Sequence, residues 1–397
     1  MATLVSLGLI SIAGLLCIPA LTLLVEVIAA QRPPREMPLV QTGGKRRVAV
    51  IVPAHNESSG IIPTIGDILP QLGQNDRLIV VADNCSDDTA EVAEQAGARV
   101  IVRKNLERIG KGYALGWAID HIKDDPPDFV VFVDADCRVQ SDAIVRLSEV
   151  CDNLQRPVQA CFLMHSPENS PINHGLAEFA FLLRNWVRPL GLKNLNLPVQ
   201  LMGTGMIFPW DLIRSVPLAS GHLGEDLKLG LDLAELSRAP YFYPAVKVTS
   251  EFPVTAKGTD SQRQRWVQGH MGMILKSVPR LLFRSIARRN LDLLALTLDL
   301  LIPPLSLLGL LVTGIFVATS IAAFFGLSAA SLWVASVNIV LFAAAVLLAW
   351  GKFGRDVLPG RLFLSIGPLI FRRIRLYGGM LLGRTASHWV RTDRGDR

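Results

Sequence analysis

Asp128-Phe-Val-Val-Phe-Val-Asp-Ala-Asp136 (DFVVFVDAD) joins a short apolar run to two carboxylates separated by one residue. A brief, unbroken run of Val and Phe reads as a strand buried on both faces. The acids then stand at its carboxyl end. Two carboxylates placed there suit a hard cation, Mg²⁺ or Mn²⁺, held against a diphosphate, because such ions take oxygen ligands from one or two carboxylates plus phosphates. An exposed turn that happens to carry two acids is the plainer alternative.

Three similar runs precede it: VAVIVPA from Val48, RLIVVAD from Arg77 and ARVIVRK from Ala98. Between them lie DDTAEVAEQAG and GYALGWAIDHI, which read as helices. Continuous apolar strands alternating with helices predict a parallel sheet covered on both faces, an α/β doubly wound fold related to the Rossmann type. Ligands on such sheets gather at the carboxyl ends of the strands. Asp83 and the Asp134/Asp136 pair both fall at such ends. The turn after the first strand, PAHNES, has no Gly-x-Gly-x-x-Gly, which argues against a dinucleotide dehydrogenase. RIGKGYALG is not a Walker loop either, since Asn105 stands where its first glycine belongs and Tyr113 displaces the Ser or Thr.

Apolar segments flank this stretch. The chain has 397 residues, half of them hydrophobic, and its mean hydropathy is +0.37. Leu4 to Ala30 is long enough to span a bilayer and is followed by Arg32, Arg35, Lys45, Arg46 and Arg47. The positive-inside rule places the amino terminus outside and the following domain in the cytoplasm. Beyond Arg280, Arg284, Arg288 and Arg289, Pro303-Pro304 divides a second apolar region. Its first part, with Asp292 and Asp299, reads as an interfacial amphipathic helix. Leu305 to Gly326 and Ser331 to Trp350 read as spans. The last segment carries Arg372, Arg373 and Arg375 at its centre and is expected on the membrane surface. The expected layout is an amino-terminal span (1–31), a linker (32–47), a cytosolic domain (48–290) and a membrane module (291–397) in a multi-pass protein of the inner membrane. The net charge of +6 gathers beside the apolar segments, which points to membrane lipids and away from nucleic acid. Five cysteines with no CxxC spacing read as reduced thiols, with neither disulfides nor a zinc site.

Further motifs follow in order. Gly203-Thr204-Gly205 interrupts LMGTGMIFPW, Glu225-Asp226 opens DLKLGLDLAEL, and Gln262, Arg265 and Trp266 share one helix face at i, i+3 and i+4. Each has a plain local reading: a strand-edge turn, first-turn acids favoured by the helix dipole, and a basic amphipathic helix. Asp83, Ser86 and Asp87 alone would make a turn and a cap, and Lys111 alone a solvated helix start.

Together, Asp83, Asp134-Ala135-Asp136, Gly224-Glu225-Asp226 and Gln262-Arg263-Gln264-Arg265-Trp266 resemble the membrane-embedded family 2 glycosyltransferases, the group that includes the cellulose, chitin and hyaluronan synthases. The resemblance covers about residues 45 to 290. It implies a GT-A-like cytosolic domain beside α-helical transmembrane segments. It also implies that Pro53, Ala54, Glu57, Asp83, Lys111, Asp134 and Arg265 hold a nucleotide sugar, a UDP-sugar in the first instance. Asp136 would bind the metal and Asp226 would be the base. Gly203, Thr204, Gly205, Glu225, Gln262 and Trp266 would face the acceptor. The expected activity is inverting β-glycosyl transfer to a glycan or lipid-linked acceptor, building an exopolysaccharide or its precursor, with partner subunits of an export system. Single addition to a lipid acceptor is the alternative, and a noncatalytic membrane scaffold is a third reading.

Overall fold

A computed structural model describes residues 2–34, 46–167, 174–219, 221, 224–327 and 329–360. Arg35, Lys45 and the basic segment around Arg372, Arg373 and Arg375 lie outside the described residues. The chain divides into two compact units, an α/β unit (46–167 and 197–269) and a helical unit (2–33, 174–196 and 270–360).

Helix α1 (Ala2–Ala29) belongs to the helical unit. The α/β unit begins with the expected alternation: β1 (Val48–Ala54), α2 (Ile61–Ile68), β2 (Arg77–Asp83), α3 (Thr89–Gln95), β3 (Arg99–Arg103), α4 (Lys111–His121) and β4 (Phe129–Phe132). These four strands pair in parallel in the order β3-β2-β1-β4. The chain works outward from β1 to β3 and then crosses to the other side of β1, so the topological switch lies between β1 and β4, where such sheets bind ligands.

The sheet does not stop at the parallel half. After β5 (Arg138–Val139), α5 (Ala143–Leu154) and β6 (Val158–His165), the chain passes through α6 (Gly175–Leu182) and α7 (Arg188–Asn194) of the helical unit. It then returns as β7 (Met206–Pro209), α8 (Trp210–Ile213), α9 (Glu225–Glu235) and β8 (Tyr241–Glu251). β7 lies antiparallel to β4, and β6, β8 and β5 follow it to complete eight strands. Phe132 and Phe208 stack obliquely at 5.3 Å across the β4–β7 junction. Ile51, Ile79 and Val81 share one core with Ala114, Leu115 and Ala118 of α4 and with Leu229 and Leu233 of α9. That packing fixes the amino-terminal ends of α4 and α9, which supply Lys111 and Glu225-Asp226. Helix α10 (Ala256–Ala287) starts in the α/β unit.

In the helical unit, α10 from residue 270 onward is followed by α11 (Leu291–Leu300), α12 (Leu305–Phe324) and α13 (Ala329–Ala349). Among the described residues three helices, Thr3–Ala29, Leu305–Phe324 and Ala329–Gly354, are long and apolar enough to cross a membrane. α6 and α7 run on from one another through a π-helical turn at Leu183–Val187. Arg188 follows that turn and bonds Glu26 of α1 at 3.0 Å and Asp299 of α11 at 2.5 Å, all three side chains being buried. Asp299 therefore stands in a buried ion cluster and not on the polar face of an interfacial helix. Gly191 lies where a Cβ would fall 1.9 Å from the Glu26 carbonyl oxygen, so no other residue fits that crossing. Burial pushes the His270 imidazole down to about 3, with Arg184 adding to the effect, and its Nε2 bonds the Leu300 carbonyl at 2.8 Å. It is a neutral structural histidine.

Candidate active site

The loops after β1 and β2 are tied to each other. Asn56, in the left-handed region at φ 55°, donates to the Ser86 hydroxyl at 3.0 Å and accepts from the Ser86 amide at 2.8 Å. The Glu57 amide donates to the Thr89 hydroxyl at 2.8 Å. Asn84, also left-handed at φ 53°, accepts from the Asn105 amide at 2.7 Å. Side-chain amides that tolerate positive φ and mimic backbone turns suit both positions. Pro53, Ala54 and Glu57 are thus held in a fixed rim beside Asp83.

Asp83 is buried, and Arg103 donates to its Oδ1 at 2.6 Å. The two are direct partners in the β2–β3 register, so their side chains leave the same face. Burial pushes the Asp83 carboxyl up, although Arg103 pulls it the other way. Arg103 was not singled out from the sequence. The available signal was register: a basic residue ending the third strand, opposite an acid ending the second.

β4 delivers Asp134 and Asp136 just past its end. The Thr64 hydroxyl lies 2.7 Å from both the Ala135 and Cys137 carbonyl oxygens and pins the turn between the acids. The Asp134 amide donates to the Thr204 hydroxyl at 3.0 Å, and the Ser250 hydroxyl of β8 donates to Asp136 at 3.0 Å. Lys111, the first residue of α4, donates to the Asp134 carboxylate and, at 2.7 Å, to the Gly203 carbonyl. Burial alone would lower this ammonium, but Asp134, Glu225 and Asp226 hold it above its ordinary value. The ammonium is thus the counter-ion of an acid cluster drawn from two distant sequence motifs.

Gly203 and Gly205 sit at φ 91° and 65°, both in glycine's region. A Cβ on Gly205 would meet Val248 at 2.8 Å, and one on Gly203 would lie 3.6 Å from Asp226 Oδ2 and 3.7 Å from Lys111 Nζ. Thr204 between them is fully buried, its hydroxyl spent on the Asp134 amide, so only the backbone of this segment borders the cleft.

Glu225 and Asp226 form the first turn of α9, where the helix dipole favours acids. Asp226 accepts from the Leu227 amide at 2.9 Å. Burial pushes the Glu225 carboxyl from its ordinary 4.5 up to about 7; the Asp226 charge adds to this and Lys111 partly offsets it. The cleft at these groups is lined by Lys111, Gly203, Glu225, Asp226, Lys228 and Asp232, among others, with Lys228 and Asp232 paired at its edge. Gln262, Arg265 and Trp266 lie on α10 at helical spacing, Gln262 buried and the other two half-buried. Ser250 and Thr64 were not legible as site residues, because each acts through a partner far away in sequence.

Among the described residues no three His, Cys, Asp or Glu side chains converge as a complete metal cage. Asp134 and Asp136 are a pair that could hold a cation, since two carboxylates suit a hard ion that draws its other ligands from a diphosphate and water. Cys137, Cys151 and Cys161 are buried, and burial pushes the Cys161 thiol up to about 12.

A parallel half-sheet with a mixed extension, acids at the switch point and a first-turn acid pair on α9 together describe a GT-A-like transferase fold. Residues 45–269 match the family described as Glycosyltransferase like family 2, and the chain belongs to that family. Glucosyl-3-phosphoglycerate synthase of Mycobacterium tuberculosis is 38% identical over 97 residues, 23% of this chain and 29% of that protein. The probable glycosyltransferase YdaM of Bacillus subtilis is 24% identical over 257 residues, 58% of this chain and 56% of that protein. The matches thus span less than two thirds of either curated relative. Among solved structures, a mannosyltransferase from Pyrobaculum calidifontis in complex with GDP-Man and Mn²⁺ aligns over 89% of this chain and all of its own, with a TM-score of 0.52 at 18% identity. That likeness concerns the fold.

Proposed function

We propose that this chain is a membrane-bound inverting glycosyltransferase that uses a UDP-sugar and a divalent metal. The observation that carries the reading is the Lys111 ammonium, which bonds Asp134 of the strand-end acid pair while lying beside Gly203 and Asp226. Donor-side and acceptor-side groups thereby meet around one cleft. The rim of Pro53, Ala54, Glu57 and Asp83 borders the nucleoside, Asp83 reading a base N–H with a carboxylate that Arg103 holds in place. Mg²⁺ or Mn²⁺ on Asp136 and Asp134 would neutralise charge on the departing diphosphate. Lys111 and Arg265 bind the same phosphates.

In the reaction an acceptor hydroxyl oxygen forms a bond to the anomeric carbon. The bond from that carbon to the diphosphate oxygen breaks, and its electron pair leaves with the nucleoside diphosphate. Asp226 takes the hydroxyl proton. One base suffices for a single displacement with inversion. Gly203 and Gly205 let a sugar ring approach the backbone, and Gln262, Glu225 and Trp266 support the acceptor, the indole as a flat apolar face.

The expected product is a β-linked glycan, an exopolysaccharide or its lipid-linked precursor, made at the cytoplasmic face of the inner membrane. Single addition to a lipid acceptor is the second reading, favoured by the three membrane-length helices among the described residues, which are few for an export channel. The test incubates purified protein with a panel of nucleotide sugars, Mn²⁺ and lipid extract and identifies products by mass. A ladder supports polymerisation and a single added hexose supports the second reading. No hexose transfer from any donor refutes both. Reporter fusions should place the amino terminus outside and residues 45–290 and the carboxyl terminus in the cytoplasm.

A further inference from the structure

Between residues 261 and 291 the chain carries seven basic side chains and no acidic one. The last three turns of α10 sort these residues by angle. At about 100° per residue, Leu275, Ile286, Pro279 and Phe283 fall within an arc of about 80°. Lys276, Arg280, Arg284 and Arg288 occupy the adjoining arc of about 120°, and Val278, Leu281 and Ser285 a third of about 60°. Arg288 stays on this spiral, its amide bonding the Arg284 carbonyl at 2.9 Å.

The three arcs have different surroundings. Val278, Leu281 and Ser285 are buried, whereas Leu275 is 74% exposed, Phe283 74% and Ile286 68%. Lys276, Arg280 and Arg288 are also exposed. The helix then stops abruptly: Arg289 takes a left-handed φ of 51°, and Asn290 caps α11 by accepting from the Leu293 amide at 2.9 Å. Leu291, the first residue of α11, is again 71% exposed.

Cations near a helix carboxyl end are favoured by the dipole, and that would account for Arg284 and Arg288. The dipole effect fades beyond the last turn, so Lys276 and Arg280 need another reason. Nor does it explain why large apolar side chains stand exposed beside them.

We infer that this side of α10 lies in the membrane interface and selects anionic lipid headgroups, with Leu275, Phe283 and Ile286 entering the acyl boundary and Lys276, Arg280 and Arg288 on the phosphates. An exposed apolar stripe next to a cationic stripe is the arrangement by which helices rest in the plane of a bilayer. Charge complementarity chooses anionic over zwitterionic headgroups, since each Lys or Arg near an anionic surface is worth about 1 kcal/mol, a factor of about five. A soluble polyanion would satisfy the cations and leave the apolar stripe in water. The inference rests on the reading that the three apolar helices span the membrane.

The test uses the full chain in nanodiscs of phosphatidylcholine, with or without phosphatidylglycerol, followed by lipid analysis of the protein-retained fraction. Wild type should enrich phosphatidylglycerol, and K276Q/R280Q/R288Q should lose at least tenfold of that preference. K276R/R280K/R288K should keep it. Should the glutamine triple fail to fold, rising salt on wild type must erase the enrichment, because the contribution is electrostatic. Equal retention of both lipids by wild type, enrichment unchanged by salt and by the glutamine triple, or heparin displacing the lipid from L275S/F283S/I286S as from wild type would overturn the inference. Extraction of wild type by alkaline carbonate is a separate outcome that refutes the spanning reading itself.

Discussion

Replacing Asp226 with Asn separates the chemistry from the architecture of the site. The carboxylate accepts from the Leu227 amide at 2.9 Å, and an Asn side-chain carbonyl can keep that bond. Loss of the charge also removes the neighbour that helps push Glu225 up to about 7. Asp134 lies in the same acid cluster, so one fewer anion relaxes it. The variant should therefore be as stable as wild type or more so, by about 0.5–2 kcal/mol, as is common when a functional charge is removed. For a unit of this size each kcal/mol corresponds to about 2–4 °C in Tm. An amide takes up no proton near neutral pH, so transfer should fall by about 10² to 10⁴, the usual contribution of a positioned base. UDP affinity should change little. Calorimetric UDP binding, thermal unfolding and radiolabelled transfer measure the three quantities on one preparation. Retention of more than about a tenth of the turnover would show that Asp226 is not the base. A Tm well below wild type would show that the Asp226 charge does not disfavour its acid neighbours.

Other outcomes follow from the same geometry. Glu225, facing Asp226, Lys111 and Asp134, has a carboxyl raised from 4.5 to about 7, so its protonated form contributes stability that is full below pH 4.5 and lost as pH rises through about 7. Glu225→Gln should remove that part of the pH dependence of Tm; an unchanged slope between pH 5 and 7 would refute it. Arg188→Met leaves Glu26 and Asp299 buried without their shared cation and should destabilise the helical unit by about 3–5 kcal/mol. Adding Glu26→Gln and Asp299→Asn should recover much of the loss, and no recovery would mean the cluster is not the cause. Ser250→Ala frees Asp136 from its 3.0 Å hydrogen bond and should weaken Mn²⁺ binding about 10- to 100-fold, with Ser250→Thr restoring it. Mn²⁺ binding followed by electron paramagnetic resonance would decide.

The parallel half of the sheet was legible because the Val, Ile and Phe runs of β1, β2 and β4 are buried on both sides, while β3, at the edge and with Val102 exposed, keeps the same apolar run. The mixed half beyond β4 was not. β5 has two residues and β7 four, too short for periodicity, and Pro244 interrupts the apolar pattern of β8. The stretch 48–290 was read as one domain, yet residues 174–196 group with the apolar helices. Arg188 finds its partners 162 and 111 residues away, at Glu26 and Asp299, and no local pattern reports such distances. For the same reason Asp292 and Asp299 suggested an amphipathic surface helix, while α10 displays the segregated exposed stripes. The strand-end acids and the first-turn pair on α9 could be read from the chain because strand ends and helix starts are local features. Arg103, Thr64 and Ser250, which hold those acids, depend on register and crossover.

The claim that the Asp134–Asp136 turn unites metal and nucleotide is tested most directly by titrating UDP into the purified protein with and without Mn²⁺. A bridging cation should tighten UDP binding by about tenfold or more, the worth of one charge-assisted contact. Asp136→Ala should bind UDP with the weaker affinity whether or not Mn²⁺ is present. Equal affinity of wild type with and without metal, or metal-enhanced binding that survives in Asp136→Ala, would contradict the account.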